Sequence, residues 1–355
     1  MKSTHQIFFN TAQKMKSIKS NTIALMVTSP PYPMIEMWDD CFIAQDQKIA
    51  TLIKSNQGMK AFNQMHVILD QVWKEVYRVL IPGGLVCINI GDATRTVGNQ
   101  FSLYVNHARI LSSLLSIGFN TLPDILWRKQ TNAPNKFMGS GMYPPGAYVT
   151  LEHEFILIAR KGGLRLFNQL SDKTNRRESA YFWEERNNWF SDVWMDIKGA
   201  QQRLFDKNVR ERSGAFPFSV PYRLINMYSV KGDTILDPFL GLGTTMLAAM
   251  TSGRNSIGFE IEEGLKESIL LAAQSIQPFA NEQIHDRLMK HTQFVTERLN
   301  NNKPLKHKNI HYGFPVITKQ ESELLLNDLS SVNVDDDRNE VIVTYETVPQ
   351  KQFIQ

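Results

Sequence analysis

The segment from residue 234 to residue 260 constrains the fold more than any other part of the chain. It reads as a strand (234–237), a glycine-containing turn (238–243), a helix (244–250) and a second strand (256–260). Two strands joined through a helix form the unit of parallel sheets, because the helix returns the chain across one face. The sequence therefore predicts an α/β fold of the Rossmann-like kind, with a mostly parallel sheet and helices on both faces.

The rest of the chain supports this alternation of strands and helices. Apolar runs predict strands at 7–9, 23–27, 85–90, 124–127 and 155–159, and apolar residues at helical spacing predict helices at 62–80, 103–117 and 220–228. We divide the chain into residues 1–160, an insertion at 161–213, a second half of the same domain at 214–280, and a polar extension at 281–355.

Composition narrows the class of protein. With 42% hydrophobic and 21% charged residues, the chain has enough apolar surface for a full core. It has no apolar run of membrane-spanning length and no apolar signal segment at its start, so we expect a cytoplasmic protein without a membrane partner. Cys41 and Cys87 have no His or Cys neighbours, so neither a disulfide nor a metal site is expected. The net charge of +4 permits a polyanionic partner but also fits solubility alone.

The turn DPFLGLGT at 237–244 is the first motif with chemical meaning. Gly241 and Gly243 let a ligand approach the backbone closely at the start of a helix. The following strand ends at Glu260, whose carboxylate can accept hydrogen bonds from both hydroxyls of a ribose. A purely structural turn is the alternative. A dinucleotide site is disfavoured, because Met246 stands where that fingerprint has its third glycine or alanine.

The second motif is Thr28-Ser29-Pro30-Pro31-Tyr32, at the end of an apolar strand. The prolines fix the direction of carbonyl oxygens, and the serine adds a hydroxyl, so the loop offers acceptors for an amino group. The Tyr32 ring can stack on a planar base. The alternative is a rigid proline loop without chemistry. Trp38 and Asp39 are further candidates for the border of a base pocket.

Together the two motifs resemble those of the DNA amino-methyltransferases, in the circularly permuted (beta-type) arrangement where the catalytic motif precedes the cofactor motif. TSPPY resembles the catalytic D/N/S-P-P-Y/F/W motif, and DPFLGLGTT resembles the cofactor loop, about two hundred residues later. The segment at 216–239 is also similar to the helix and strand that lead into this loop, although Arg212-Ser213-Gly214 departs from the usual His-Pro-Ala.

This resemblance implies an enzyme that transfers a methyl group from S-adenosylmethionine to an exocyclic amino group in duplex DNA after base flipping. The residues that it implies in catalysis are Ser29, Pro30, Pro31 and Tyr32. Those that it implies in cofactor binding are Asn10, Asp237, Pro238, Phe239, Gly241, Gly243, Thr244 and Glu260. A cytosine carbon-5 mechanism is excluded, since neither cysteine follows a proline. The resemblance also implies a restriction-modification role with a companion endonuclease.

Three points stay open. Serine at the first motif position favours cytosine N4 as the target, and adenine N6 is the alternative. The arginines and aromatic residues of 161–213 are predicted to form the target-recognition region, or else a solvated surface with a small core. A catalytically silent nucleic-acid-binding subunit and a nicotinamide-dependent oxidoreductase remain as competing functions, disfavoured by the intact motifs.

Overall fold

The computed structural model describes residues 1–129, 138–198 and 216–353. Its strands in chain order are β1 (Lys2–Phe9), β2 (Ile23–Thr28), β3 (Leu80–Ile90), β4 (Ala93–Val97), β5 (Gln100–Tyr104), β6 (Phe119–Thr121), β7 (Ile125–Arg128), β8 (Met138–Gly139), β9 (Ala147–Tyr148), β10 (His153–Lys161), β11 (Val193–Trp194), β12 (Thr234–Asp237), β13 (Asn255–Glu260), β14 (His307–Lys308), β15 (Pro315–Val316), β16 (Leu329–Asp335) and β17 (Glu340–Tyr345). Its helices are α1 (Asp39–Gln45), α2 (Lys48–Lys54), α3 (Gly58–Val79), α4 (Asn106–Ile117), α5 (Leu170–Glu178), α6 (Trp183–Trp189), α7 (Ser219–Tyr228), α8 (Thr244–Thr251), α9 (Lys266–Gln274) and α10 (Gln277–Asn300).

A large sheet in the order β11-β7-β10-β3-β2-β12-β13-β1-β17-β16 forms the centre of the described chain, with β6 paired to β10. The five strands from β3 to β1 are parallel to one another. On one side β10 runs antiparallel to β3, and β7 again runs with the parallel block. The ends of β2, β3, β7, β12 and β13 therefore meet at one edge, together with the start of β10. The predicted α/β fold is confirmed.

Side chains along the strands alternate between two apolar cores, one on each face of the sheet. In β2, Leu25 and Val27 belong to one core, and Ile23 and Met26 belong to the other. Helices α3 and α4 cover the second face, and α7 to α10 cover the first. All six side chains of β2 are buried, as expected for a central strand covered on both faces.

The main departure in the first half is a hairpin that the sequence prediction assigned partly to a helix. The predicted helix 103–117 begins only at residue 106, and residues 93–97 pair with residues 100–104 instead. Position 98 is a glycine with a φ of 62°, a conformation that suits a tight turn between two strands. The segment Pro82-Gly83-Gly84 lies between the predicted helix 62–80 and the predicted strand 85–90. In the structure it belongs to β3, at the point where the pairing with β2 shifts register.

The polar C-terminal extension completes the fold rather than standing apart from it. The boundary drawn between residues 280 and 281 falls inside α10. Strand β17 pairs antiparallel with β1, and β16 pairs with β17. The extension therefore covers the edge of β1 that the parallel block leaves unpaired, and β16 becomes the edge strand on this side.

The described part of the predicted insertion packs against this extension. Phe182, Trp189 and Trp194 are buried in the core, and the ring of Phe182 stacks on His291 of α10 at 4.0 Å. Their burial favours the small-core alternative for these three side chains. Arg203 and Arg210, which we also associated with this region, lie outside the described residues.

Two kinds of feature are absent from the described residues. No helix is both long enough and apolar enough to cross a membrane. No group of three or more His, Cys, Asp or Glu side chains is arranged to hold a metal ion among residues 1–129, 138–198 and 216–353.

An ion pair between Arg287 and Glu185 joins α10 to α6 and gives a stability prediction. The Arg287 side chain is 7% exposed, and its Nε and Nη2 donate to the Glu185 carboxylate at 2.6 and 2.9 Å. Arg287→Met leaves a buried carboxylate without its cation, so we expect the free energy of unfolding to fall by about 3 kcal/mol or more. Urea denaturation measures this change.

The matched control is Lys290→Met on the same helix. The Lys290 side chain is 71% exposed and pairs with Asp286 in solvent, so its loss should change the free energy by less than about 1 kcal/mol. Equal losses in the two variants would contradict the structural role of Arg287.

Candidate active site

The two sequence motifs meet because the strands that carry them are neighbours. Strands β2 and β12 pair in parallel, with Met26 opposite Leu236. At their ends, the Thr28 hydroxyl donates a hydrogen bond to Asp237 Oδ1 at 2.6 Å. The same oxygen accepts the backbone N–H of Phe239 at 3.0 Å. The proline loop and the glycine turn are thus fixed to each other at one edge of the sheet.

The glycine turn is shaped by two positive φ angles and by one carboxylate. Gly241 has a φ of 53° and Gly243 a φ of 81°, and both values favour glycine. The Gly241 N–H donates to Glu260 Oε2 at 2.8 Å. The N–H groups of Ile261 and Glu262 donate to the other oxygen of Glu260 at 2.8 and 2.9 Å. Glu260 is therefore oriented by three amides, and one lone pair of Oε2 remains free for a further donor.

A cleft that opens to solvent lies between the proline loop and the glycine turn. The residues that line it are Ser29, Pro30, Tyr32, Ile35, Met37, Trp38, Lys129, Glu154, Phe216, Asp237, Phe239, Leu240, Gly241, Thr244 and Thr245. Seven of the twelve predicted site residues are in this set.

The other predicted residues lie around the cleft rather than in its lining. Pro31 and Pro238 are buried behind the loops, and Gly243 begins α8. Asn10 is exposed and lies just beyond the end of β1. Its neighbour Phe9 pairs with Glu260, which is the fifth predicted residue outside the lining. Neither Asn10 nor Glu260 contributes to the lining.

Two features of the lining suit a bound ligand. A Cβ atom added to Gly241 would have no protein atom within 4 Å, so the backbone there borders open space. The Thr244 hydroxyl at the start of α8 is buried and has no hydrogen-bond partner among the described residues. A buried hydroxyl without a partner is costly, and a polar ligand group would relieve that cost.

Tyr32 is held by a buried hydrogen-bond network that the sequence did not indicate. Its hydroxyl donates to Glu154 Oε2 at 2.9 Å and accepts the side-chain N–H of Asn89 at 2.9 Å. Ser29 Oγ lies 3.2 Å from the same hydroxyl. Lys129 Nζ donates to the second oxygen of Glu154 at 2.8 Å. Burial and the Glu154 charge raise the pKa of Tyr32, so the phenol remains a donor.

The sequence analysis missed Asn89, Lys129 and Glu154. A signal was present for two of them, because Asn89 interrupts the apolar run LVCINI and Glu154 precedes the apolar run FILIA. Polar residues in such strands are buried and must find partners. Lys129 follows β7 and carried no such signal. The predicted border residue Trp38 lines the cleft, whereas Asp39 forms a bidentate ion pair with Arg95.

Comparison with known proteins identifies the family. The model of the N6/N4 DNA methylase family matches residues 23–271, which include both motifs and the cleft. The chain belongs to this family. The resemblance inferred from the motifs is therefore confirmed.

This DNA methylase has relatives that match most of its length. It is 51% identical over 327 residues to the type II methyltransferase M.MthZI of Methanothermobacter thermautotrophicus, covering 92% of this chain and 91% of the relative. It is 48% identical over 278 residues to the type II methyltransferase M.MjaI of Methanocaldococcus jannaschii, covering 75% and 90%.

Among solved structures, the methylase is similar to TTHA0409 of Thermus thermophilus, described as a putative DNA modification methylase in complex with S-adenosyl-L-methionine. The two share 28% sequence identity and a TM-score of 0.59, over 75% of this chain and 92% of the other.

Asp237 is the most strongly perturbed acid of the methylase cleft. The residue is 4% exposed, and burial raises the pKa of its carboxyl group to about 6, against the opposing hydrogen bonds from Thr245, Thr28 and Phe239. The folded protein therefore binds this proton more tightly than the unfolded chain does. Its contribution to stability is largest below pH 4 and is lost as the pH rises to about 6.

Asp237→Asn tests this electrostatic cost, because the amide oxygen can still accept from Thr28 and Phe239. We expect the variant to gain stability relative to the wild type as the pH rises from 4 to 6, by about 3 kcal/mol, and then to hold that difference. Chemical denaturation at a series of pH values measures it. The exposed Asp337→Asn serves as the control, and a difference for Asp237→Asn that does not vary with pH would contradict the assignment.

Proposed function

We propose that this DNA methylase transfers a methyl group from S-adenosylmethionine to N4 of cytosine within a specific sequence of duplex DNA. We further propose that it acts in the cytoplasm as the methyltransferase of a type II restriction-modification system, paired with an endonuclease. The two type II methyltransferases that match most of the chain support that system.

The observation that carries the proposal is the cleft between the proline loop and the glycine turn. One wall offers Ser29 and Pro30, whose oxygens suit an amino group, and the other offers Gly241 and Thr244, whose backbone and hydroxyl suit a polar ligand. The hydrogen bond between Thr28 and Asp237 fixes the two walls relative to each other. Two reactants held side by side in this way react without the entropic cost of meeting in solution.

S-adenosylmethionine fits the residues of the second wall. The open space beside Gly241 admits the ligand, and the Thr244 hydroxyl can bond to its polar part. The buried carboxylate of Asp237 and the partly buried carboxylate of Glu260 suit a positively charged ligand. We propose that Glu260 holds the ribose hydroxyls and that Asn10 lies near the adenine. The SAM complex of the Thermus thermophilus protein supports this choice of cofactor.

The first wall then orients the target base. A base inside a duplex cannot enter the cleft, so it must be flipped out, at a cost of a few kcal/mol. Ser29 Oγ and the Pro30 carbonyl would accept the two amino hydrogens, which localises the nitrogen lone pair. The Tyr32 ring would stack on the base.

The chemistry needs no covalent enzyme intermediate. Bound S-adenosylmethionine supplies an electrophilic methyl group, and the base nitrogen is itself the nucleophile. One amino proton is released to solvent through the open cleft. Ser29 and Pro30 therefore act by positioning and by electrostatic preorganisation.

We propose that residues 161–213 recognise the target sequence in the DNA. Among the described side chains of this range, the buried aromatic residues support the fold, and exposed ones such as Trp183 and Arg177 are the available surface. Arginines at such a surface can contact phosphates or guanine edges.

The proposed target base predicts which nucleoside of the DNA receives the methyl group. Incubation with tritiated S-adenosylmethionine and mixed-sequence duplex DNA, followed by digestion to nucleosides and mass analysis, should give N4-methylcytosine. Label in N6-methyladenine would be consistent with the same mechanism but would show that the target base is adenine. Absence of label despite cofactor binding would instead support a silent subunit or another substrate.

The proposed role of Ser29 gives a further prediction. Ser29→Ala removes one acceptor for the amino group, so we expect kcat to fall about 10²-fold or more while the Kd for S-adenosylmethionine changes less than a few-fold. Single-turnover kinetics and equilibrium binding measure the two quantities. Ser55→Ala, at an exposed position outside the cleft, is the control. An equal loss of both quantities would remove Ser29 from the catalytic role.

A further inference from the structure

Lys129 is a cation at the catalytic cleft for which the family motifs gave no role. It follows the last residue of β7 and lines the same cleft as Ser29 and Tyr32. Its side chain is 46% exposed, and Nζ donates one hydrogen bond to Glu154 Oε1 at 2.8 Å. An ammonium group has three donors, so two further hydrogens remain for a ligand in the cleft.

Glu154 fixes this cation relative to the catalytic loop. Its side chain is 11% exposed, and Oε2 accepts from both Tyr32 and Asn89, at 2.9 and 2.7 Å. With Oε1 bonded to Lys129, the carboxylate bridges the ammonium group to the loop. A continuous set of contacts thus runs from Lys129 through Glu154 and Tyr32 to Ser29, with successive distances of 2.8, 2.9 and 3.2 Å.

The network also limits where the catalytic tyrosine can move. A Cβ on Gly91 would lie 3.1 Å from the Tyr32 ring and 3.4 Å from Glu154 Cγ. The ring and the carboxylate are therefore packed as well as hydrogen-bonded. A cation attached to such a group has a defined position, although 46% of the Lys129 side chain is exposed. A surface ion pair without such packing and hydrogen bonds would not fix the position of the ammonium group.

The two candidate bases differ in the groups beside their amino nitrogen. Cytosine carries N4, then the acceptor N3, then the acceptor O2 along one edge. Adenine carries N6 and the acceptor N1, followed by a C–H group. Flipped bases are read by hydrogen bonds to this edge. A fixed cationic donor in the cleft that also contains Ser29 therefore favours cytosine, because only cytosine offers it a carbonyl oxygen.

We propose that Lys129 is a base-selecting residue, whose ammonium group donates a hydrogen bond to O2 of the flipped cytosine, and that Glu154 is the positioning residue that holds Lys129 and Tyr32 in register. This inference rests on the proposed function and adds to it the residue that distinguishes cytosine from adenine. The Lys129–Glu154 pair is neutral as a whole, which suits a neutral base.

The test compares Lys129→Met with the wild type on two duplexes that differ only at the target position, one with cytosine and one with adenine. Loss of a hydrogen bond to a charged group should lower kcat/KM on cytosine by 10- to 100-fold. The rate on adenine should change less than about threefold, so the cytosine-to-adenine ratio falls at least tenfold. Lys129→Arg keeps a cationic donor and should restore part of the ratio.

A second substrate keeps the test decisive where the wild type does not methylate adenine at all. Replacing the target with 2-thiocytosine exchanges O2 for sulfur, a weaker acceptor. We expect this exchange to slow the wild type at least tenfold and to slow Lys129→Met much less.

Two further variants separate base selection from structural damage. Lys129→Met leaves Glu154 without its cation, so the double variant with Glu154→Gln is measured alongside and should show the same fall in the ratio. Arg128→Met is the matched control. Its guanidinium is 54% exposed and pairs with Glu152, and Arg128 does not line the cleft. Its ratio should equal that of the wild type.

The outcomes are distinct. Equal losses of Lys129→Met on both bases, or no loss on either, would overturn the role of Lys129. Label in N6-methyladenine from the wild type on its natural site would instead overturn the proposed function, and this result is read from the wild type alone.

Discussion

The hydrogen bond from Thr28 to Asp237 is the contact on which the candidate site depends. It joins two buried residues, 209 positions apart in the chain, at the ends of two parallel strands, with a length of 2.6 Å. A hydrogen bond to a buried carboxylate is strong because little solvent competes for it. The proline loop and the glycine turn, which form the two walls of the cleft, each follow one of these two strand ends.

The same carboxylates define the electrostatic character of the cleft. Burial raises the pKa values of Asp237 and Glu260, so both acids hold their charge at a cost in stability. That cost is repaid when a cationic ligand binds between the two walls, as S-adenosylmethionine would. Lys129 neutralises the third carboxylate, Glu154, on the side of the proline loop. The arrangement separates a region suited to a cation from a region suited to a neutral base.

The C-terminal extension contributes to this architecture from a distance. Strand β17 covers the free edge of β1, and Glu184 and Glu185 of α6 bond to His291 and Arg287 of α10. The C-terminal extension and the described part of the insertion therefore stabilise each other. Segments with polar sequences can add to a core in this way when a few buried aromatic side chains and paired charges accompany them.

Sequence alone determined the α/β fold, the order of the two motifs and eight residues that line the cleft, Trp38 among them. Local patterns were enough, because strand–turn–helix periodicity and the special conformations of proline and glycine are properties of neighbouring residues. The positions of β12 and β13 followed directly from this periodicity. The residues Ser29 and Gly241 were found because their motifs concentrate the necessary chemistry in a few consecutive positions.

Only the tertiary structure decided what lies behind those motifs. Asn89, Lys129 and Glu154 come from three different strands or their ends, and the order of strands in the sheet brings them to Tyr32. Likewise, the edge hairpin of β16 and β17 depends on an unpaired neighbour, β1, at the opposite end of the chain. No local pattern encodes such partners, because hydrogen bonds across a sheet depend on which strands are adjacent and not on how far apart they lie in sequence.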